Sequence, residues 1–128
     1  MGRILRDVIV EGKPKKTIFD TGSVVSYITK DALPDCAVCI DIPLITSRVA
    51  GSTHKLTRRC FISGKLDGKH FDFDAFVIDK LGKVYEKQNT ELDILIGAAT
   101  MEEWAINVNP KEQTIDLTGL KRREFLSF

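Results

Sequence analysis

No stretch of the 128 residues approaches the ~20 consecutive apolar side chains that a membrane-spanning helix requires. The opening Met1-Gly2-Arg3-Ile4-Leu5-Arg6 lacks the apolar core of a secretory leader. Gly2 invites lipidation, but Arg6 stands where a myristoylation motif wants Ser or Thr. The expectation is a cytoplasmic protein without membrane association. Charge of one sign is scarce too. Nineteen Lys and Arg against eighteen Asp and Glu leave a net charge of +1, so no strong field points to nucleic acid or an anionic membrane. The short basic clusters at Lys13, Lys15 and Lys16 and at Lys121, Arg122 and Arg123 read as solvated surface.

Cysteine is the next shortage. Three of them (Cys36, Cys39 and Cys60) are an odd number and a poor basis for a disulfide framework. Cys36-Ala-Val-Cys39 has metal-ligand spacing, and His54, Cys60 and His70 could complete a zinc site. A single CxxC without a second pair is a weak signal, however. The cysteines sit among Ala37, Val38, Ile40, Phe61 and Ile62 and read as small buried hydrophobes, so neither a metal nor a cofactor is expected. Low-complexity segments and internal repeats of 20–50 residues are also missing, which excludes solenoids and arrays.

What the chain does have is a balance of 43% hydrophobic and 29% charged residues, suited to one compact domain. Residues 1–128 are read as a single domain, with a core over about 3–117 and a tail over 118–128. Its apolar pattern is short and alternating, which argues strands. Ile4 to Val10 reads as a first strand, turning at Gly12-Lys13-Pro14 into Lys16–Phe19. Val24 to Ile28 reads as a third. Leu44–Val49 and Leu56–Ile62 form a hairpin around Ala50-Gly51-Ser52, and Asp67-Gly68 turns a second hairpin into His70–Ile78. There Phe71, Phe73, Ala75 and Val77 share one face. Lys80 to Glu91 reads as an exposed loop and Asp93 to Ile96 as a short strand. One helical turn is expected from Thr29 to before Pro34, and another from about Ala98 to Trp104, where Thr100-x-x-Glu103 offers a capping box. Ile106–Val108 and Gln113–Leu117 make a last hairpin. The sum is a mostly β domain with one short helix near its end.

Chemistry concentrates in Ile18-Phe19-Asp20-Thr21-Gly22-Ser23. Two apolar strand residues deliver an acidic residue to a turn. A carboxylate that activates water needs a rigid, dry position near hydrogen-bond donors. Gly22 lets backbone amides approach it closely, and Thr21 supplies a hydroxyl that can tie the turn to something behind it. The same three residues also make an ordinary turn. The later Asp93-Ile-Leu-Ile-Gly97-Ala98 adds a second apolar strand ending in glycine before a short helix.

Taken together, these stretches resemble the retropepsin-like, clan AA aspartic proteases, in particular their small single-domain prokaryotic members. The pattern shared is apolar-apolar-Asp-Thr/Ser-Gly-Ala/Ser at Ile18–Ser23, a flap hairpin with its tip at Ala50-Gly51-Ser52, and Leu95-Ile96-Gly97-Ala98 before a helix. Met101–Pro110 is similar to the family's helix and its ending, with Asn109 in place of the usual Asp. The resemblance runs from about Arg3 to Leu117. It departs in a longer loop at 80–91 and in Pro34, which cuts short the segment after the active-site turn.

The resemblance implies a closed β-barrel or sandwich and aspartic endopeptidase activity. It implies Asp20, Thr21 and Gly22 as the catalytic turn, and Ser23, Val25, Ala50, Gly51 and Ser52 as flap or substrate-binding residues. Leu95, Ile96, Gly97 and Ala98 would be a packing motif behind that turn. Val25, Ala50 and Ser52 lining the cleft suggest a preference for apolar side chains. The chemistry needs two carboxyl groups around one water. At 4 Å and an effective dielectric of 20 two carboxylates repel by about 4 kcal/mol, so they share a proton, the behaviour already known of aspartic-protease dyads. No other aspartate here is followed by Thr/Ser-Gly; Asp7, Asp35, Asp67 and Asp93 all fail, and Asp116 is one residue out. The partner aspartate is therefore expected from a second copy across a two-fold axis, with Thr21 bonding across it and an extended polypeptide as substrate. The alternative is a peptide-binding or dimerisation module on the same fold.

Overall fold

The computed structural model describes residues 3–49, 51–82 and 91–120. In chain order the strands are β1 (Arg3–Leu5), β2 (Val8–Val10), β3 (Lys13–Lys15), β4 (Thr17–Asp20), β5 (Tyr27–Thr29), β6 (Val38–Val49), β7 (Ser52–Leu66), β8 (Lys69–Ile78) and β9 (Ile94–Ile96). Then come the helix α1 (Ala98–Glu103) and the strands β10 (Asn107–Asn109) and β11 (Thr114–Asp116).

Nine strands form one sheet in the order β1-β4-β9-β5-β8-β7-β2-β3, with β6 off this path, pairing β7 on the side away from β8. Its two ends reveal its shape. Leu5 and Val8 are three residues apart, a span of at most about 10 Å, yet β1 opens the ladder and β2 stands next to its far end, beside β3. The sheet must curl into a half-barrel to bring them together, in line with the barrel expectation. At that corner the expected single strand from Ile4 to Val10 breaks. Arg6 donates its N–H to the Thr17 carbonyl at 3.1 Å, and Val8 donates to Thr17 Oγ1 at 3.4 Å.

The core fills the curl. Phe71, Phe73, Ala75 and Val77 all point inward from β8, as the alternation implied. Phe71 sits 5.5 Å from both Phe73 and Trp104, centroid to centroid, and Trp104 donates its indole N–H to the Asp72 carbonyl at 2.7 Å. β4 and β9 are buried along their full length, with no solvent face. Among the described residues no helix is long and apolar enough to cross a membrane.

Several local expectations need correction. The strand expected at Val24 starts only at Tyr27, because the carbonyls of Ser23 and Val24 are taken by amides of α1 instead of a neighbouring strand. The segment from Thr29 is a hydrogen-bonded turn and not a helix: Ala32 N–H reaches the Thr29 carbonyl at 3.1 Å, and Pro34 stops further winding. β6 begins six residues before the expected Leu44. A bulge between Asp41 and Ile45 sets Ile42-Pro43-Leu44 against Thr57, which hides the alternation. The helix is capped by Gly97 with no side-chain cap, so the capping box at Thr100 does not form. Cys39 and Cys60, opposite each other on β6 and β7, are joined in a disulfide, contrary to their reading as free buried thiols; Cys36 is free and exposed. Residues 83–90 of the expected 80–91 loop and 121–128 of the tail lie outside the described residues.

Candidate active site

Parallel pairing of β4 with β9 brings the two sequence motifs side by side. Phe19 is in register with Ile96, so Asp20 and Gly97 leave the ladder together at the same edge. Asp20 is 6% exposed, although the chain turns into solvent at Thr21 and Gly22. The turn is held by its own carboxylate. Gly22 N–H donates to Asp20 Oδ1 at 2.8 Å, and Ser23 N–H donates to the Asp20 carbonyl at 3.2 Å. The other carboxylate oxygen, Oδ2, faces Arg3 Nε at 3.3 Å, across the β1–β4 ladder where the two residues are paired.

The helix start supports this turn from behind. Ala98 N–H donates to the Ser23 carbonyl at 2.7 Å and Ala99 N–H to the Val24 carbonyl at 3.0 Å. Such contacts satisfy helix N–H groups that have no partner within the helix. They require close approach at Gly97, where an added Cβ would lie 2.3 Å from the Val25 carbonyl oxygen and 2.8 Å from that of Ser23. Gly97 N–H donates to Ser26 Oγ at 3.0 Å, and Ser26 Oγ is 3.0 Å from Thr100 Oγ1, both hydroxyls being buried. The loop from Asp20 to Ser26 is thus pinned at both of its strand ends and along its middle.

In front of Asp20 lies a cavity of about 380 Å³. Gly22, Ser23 and Val25 border it on the side of the turn, and Tyr27 and Leu95 form an apolar wall. Arg48 and Val49, from the strand leading to the hairpin tip, close the far side. Tyr27 OH is 2.6 Å from Ser47 Oγ, which ties that strand to the body of the sheet.

Of the residues singled out from sequence, the structure brings Asp20, Gly22, Ser23, Val25 and Leu95 to one cavity. Thr21 is exposed beside it. Ile96, Gly97 and Ala98 stand behind the turn and not in the cavity. The Ser23 hydroxyl turns back onto its own loop, donating to the Val25 carbonyl at 2.8 Å. Gly51, at φ +80°, occupies the tip of the β6–β7 hairpin, where Val49 pairs with Ser52; neither Gly51 nor Ser52 borders the cavity. Ala50 lies outside the described residues. Asp93 is a clamp, its Oδ2 accepting the Lys16 N–H at 2.9 Å. Sequence reasoning missed Arg3, Val24, Tyr27, Arg48 and Val49 as cavity residues. For Arg48 and Val49 the signal was present, because they immediately precede the glycine tip.

No family model matches the chain, and no curated protein matches it in sequence. Solved structures do match. The retroviral protease-like domain of Ddi1 from Leishmania major aligns over 91% of this chain and 89% of its own, at 14% identity and a TM-score of 0.59. EIAV protease, complexed with the inhibitor HBY-793, aligns over 80% of this chain and 88% of its own, at 16% identity and a TM-score of 0.57. The foamy viral protease-reverse transcriptase, in complex with RNA/DNA hybrid, aligns over 84% of this chain at 13% identity and a TM-score of 0.55; the match spans only 12% of that longer protein. The chain therefore has the retropepsin-like fold. The likeness gives no support to the narrower resemblance to prokaryotic members.

Proposed function

We propose that the chain is one half of a homodimeric aspartic endopeptidase, with one Asp20 from each copy activating a water for peptide-bond hydrolysis. The observation that carries this reading is the setting of Asp20. A carboxylate 6% exposed, fixed by the Gly22 N–H and bordering a cavity of about 380 Å³, is what water activation requires. The exposed edge of the same turn supports the second copy. Thr21 and Gly22 are exposed and Val24 is 72% exposed, beside a buried carboxylate. A second chain related by a two-fold axis would cover this edge and bring its own Asp20 near the first. One carboxyl group would then hold the proton it donates to the scissile carbonyl oxygen, while the other takes a proton from water. The hairpin tip at Gly51 would close over an extended peptide and add a strand to it.

One observation favours a module that binds peptides without cutting them: Arg3 Nε lies 3.3 Å from Asp20 Oδ2 in the single chain, placing a cation against the carboxylate. Cleavage of a mixed peptide library at mildly acidic pH, comparing wild type with Asp20→Asn, separates the two. Cleavage by wild type alone is expected. If sedimentation shows a dimer and neither protein cuts, the binding module is the better reading.

A further inference from the structure

We infer that Arg48 makes the cavity select an acidic side chain close to the scissile bond, an inference that rests on the peptidase reading. Three charged residues border the cavity: Arg3, Arg48 and Asp20. Arg3 and Asp20 answer each other at 3.3 Å. Arg48 has no acidic partner among the described residues. Its guanidinium is a planar fork that is always charged and matches a carboxylate in two parallel hydrogen bonds.

Its place in the fold makes that charge available. Arg48 sits on β6 immediately before the buried Val49, and Tyr27 OH bonds Ser47 Oγ at 2.6 Å one residue earlier. The backbone carrying Arg48 is therefore anchored on both sides. Around it Val25, Tyr27, Val49 and Leu95 supply the apolar wall that packs the stem of an incoming side chain. A short apolar wall ending at a cation with no acidic partner among the described residues fits Glu, and less closely Asp. Because Arg48 and Asp20 border one cavity, that residue would stand within about two positions of the cleaved bond. This revises the apolar preference expected from Val25, Ala50 and Ser52, since that reading contained no charged wall residue.

The test uses peptide pairs that differ only as Glu or Gln at each position flanking the cleaved bond. Wild type, Arg48→Gln and Arg48→Lys are compared, and each protein's Glu/Gln ratio of kcat/KM is its own control. Wild type is expected to favour Glu by about 3- to 10-fold at one position, less at high salt. Arg48→Gln should bring that ratio close to one, and Arg48→Lys should restore part of it. A ratio unchanged between wild type and Arg48→Gln overturns the inference, as does a wild type that ignores Glu everywhere. If wild type cuts no peptide, the peptidase reading has failed separately, and the same pairs are titrated as fluorescent ligands. Preferential binding of Glu that Arg48→Gln abolishes would uphold the role of Arg48; equal binding would reject it.

Discussion

Arg3 and Asp20 face each other across the β1–β4 ladder, with Nε 3.3 Å from Oδ2, while the second carboxylate oxygen takes the Gly22 N–H at 2.8 Å. Both oxygens of a buried acid are thereby answered, one by a cation and one by a backbone amide. A buried charge without such partners is costly. The Arg3 side chain is itself one-third exposed, so water screens part of the attraction. Arg3→Gln should lower unfolding free energy by about 1 kcal/mol in urea at fixed protein concentration. In an Asp20→Asn background the same change should cost much less, because no charge remains to be answered. Equal costs in the two backgrounds would show that the pair contributes nothing.

Gly97 is where the Asp20 turn and the helix meet too closely for a side chain. A methyl group there would meet backbone at 2.3 Å, and the backbone cannot rotate aside as a flexible side chain would. Gly97→Ala is expected to cost about 1–3 kcal/mol and to displace the loop carrying Asp20, so cleavage should fall further than stability alone explains. Thermal unfolding together with kcat at a temperature where the variant stays folded checks this. Wild-type kcat in a folded variant would mean that the loop tolerates the shift.

Ser26 and Thr100 make a buried hydroxyl pair at 3.0 Å, and Ser26 Oγ also accepts the Gly97 N–H. Ser26→Ala leaves that buried N–H and the Thr100 hydroxyl short of a partner, at a cost of about 1–3 kcal/mol. Thr100→Val keeps the shape and leaves the Gly97–Ser26 bond in place, so it should cost less. Denaturant midpoints of the two variants decide it, and the reverse order would reject the assignment of Ser26 as the central link.

How much of this was legible beforehand depended on the distance over which each signal acts. The Asp20 turn and the β9 strand leading to Gly97 could be read because each is a local pattern, and the resemblance linked them. The alternation of Phe71, Phe73, Ala75 and Val77 gave the inward face of β8 for the same reason. Arg3 could not be found that way. Its meaning comes from pairing with a residue far along the chain, and nothing local marks Arg3 as facing Asp20. The early start of β6 was hidden by the bulge between Asp41 and Ile45, which breaks the period-2 pattern. Val24 and Val25 carry strand-forming side chains, but tertiary bonds from Ala98 and Ala99 override that propensity.

The turn after β5 offers a pH-dependent contact away from the cavity. Lys30 Nζ lies 2.8 Å from Asp79 Oδ1, and the Lys30 N–H donates to the Ile78 carbonyl at 3.0 Å. The Lys30 hydrogen bond and charge, aided by His54, hold the Asp79 carboxyl below its ordinary value of 3.8. A lowered acid contributes stability above its unfolded value and loses it as pH falls through the folded one. Asp79→Asn should therefore melt slightly below wild type at neutral pH, with the gap closing below about pH 4. Both groups are well exposed, so salt should shrink the gap too. A gap that persists into strong acid would assign the effect to something other than charge.

The Cys39–Cys60 disulfide joins β6 to β7 at a separation of 21 residues and encloses the hairpin tip at Gly51. A closed loop of this size restricts the unfolded chain by about 3 kcal/mol in the chain-entropy model. Cys39→Ser combined with Cys60→Ser should therefore lower unfolding free energy by about that amount, and a dithiol reductant should do the same to wild type. Cys36→Ser should change little, since Cys36 is free and exposed. Thiol counting sharpens the test: of the three cysteines, one should react in unfolded protein before reduction and all three after it. Structural disulfides persist in oxidising compartments and are rare in reducing ones. Counting thiols in protein trapped with acid at lysis therefore also tests the cytoplasmic location expected from the N-terminal residues. Three reactive thiols would show a tip hairpin that works without its link, and one would place the protein where the link forms.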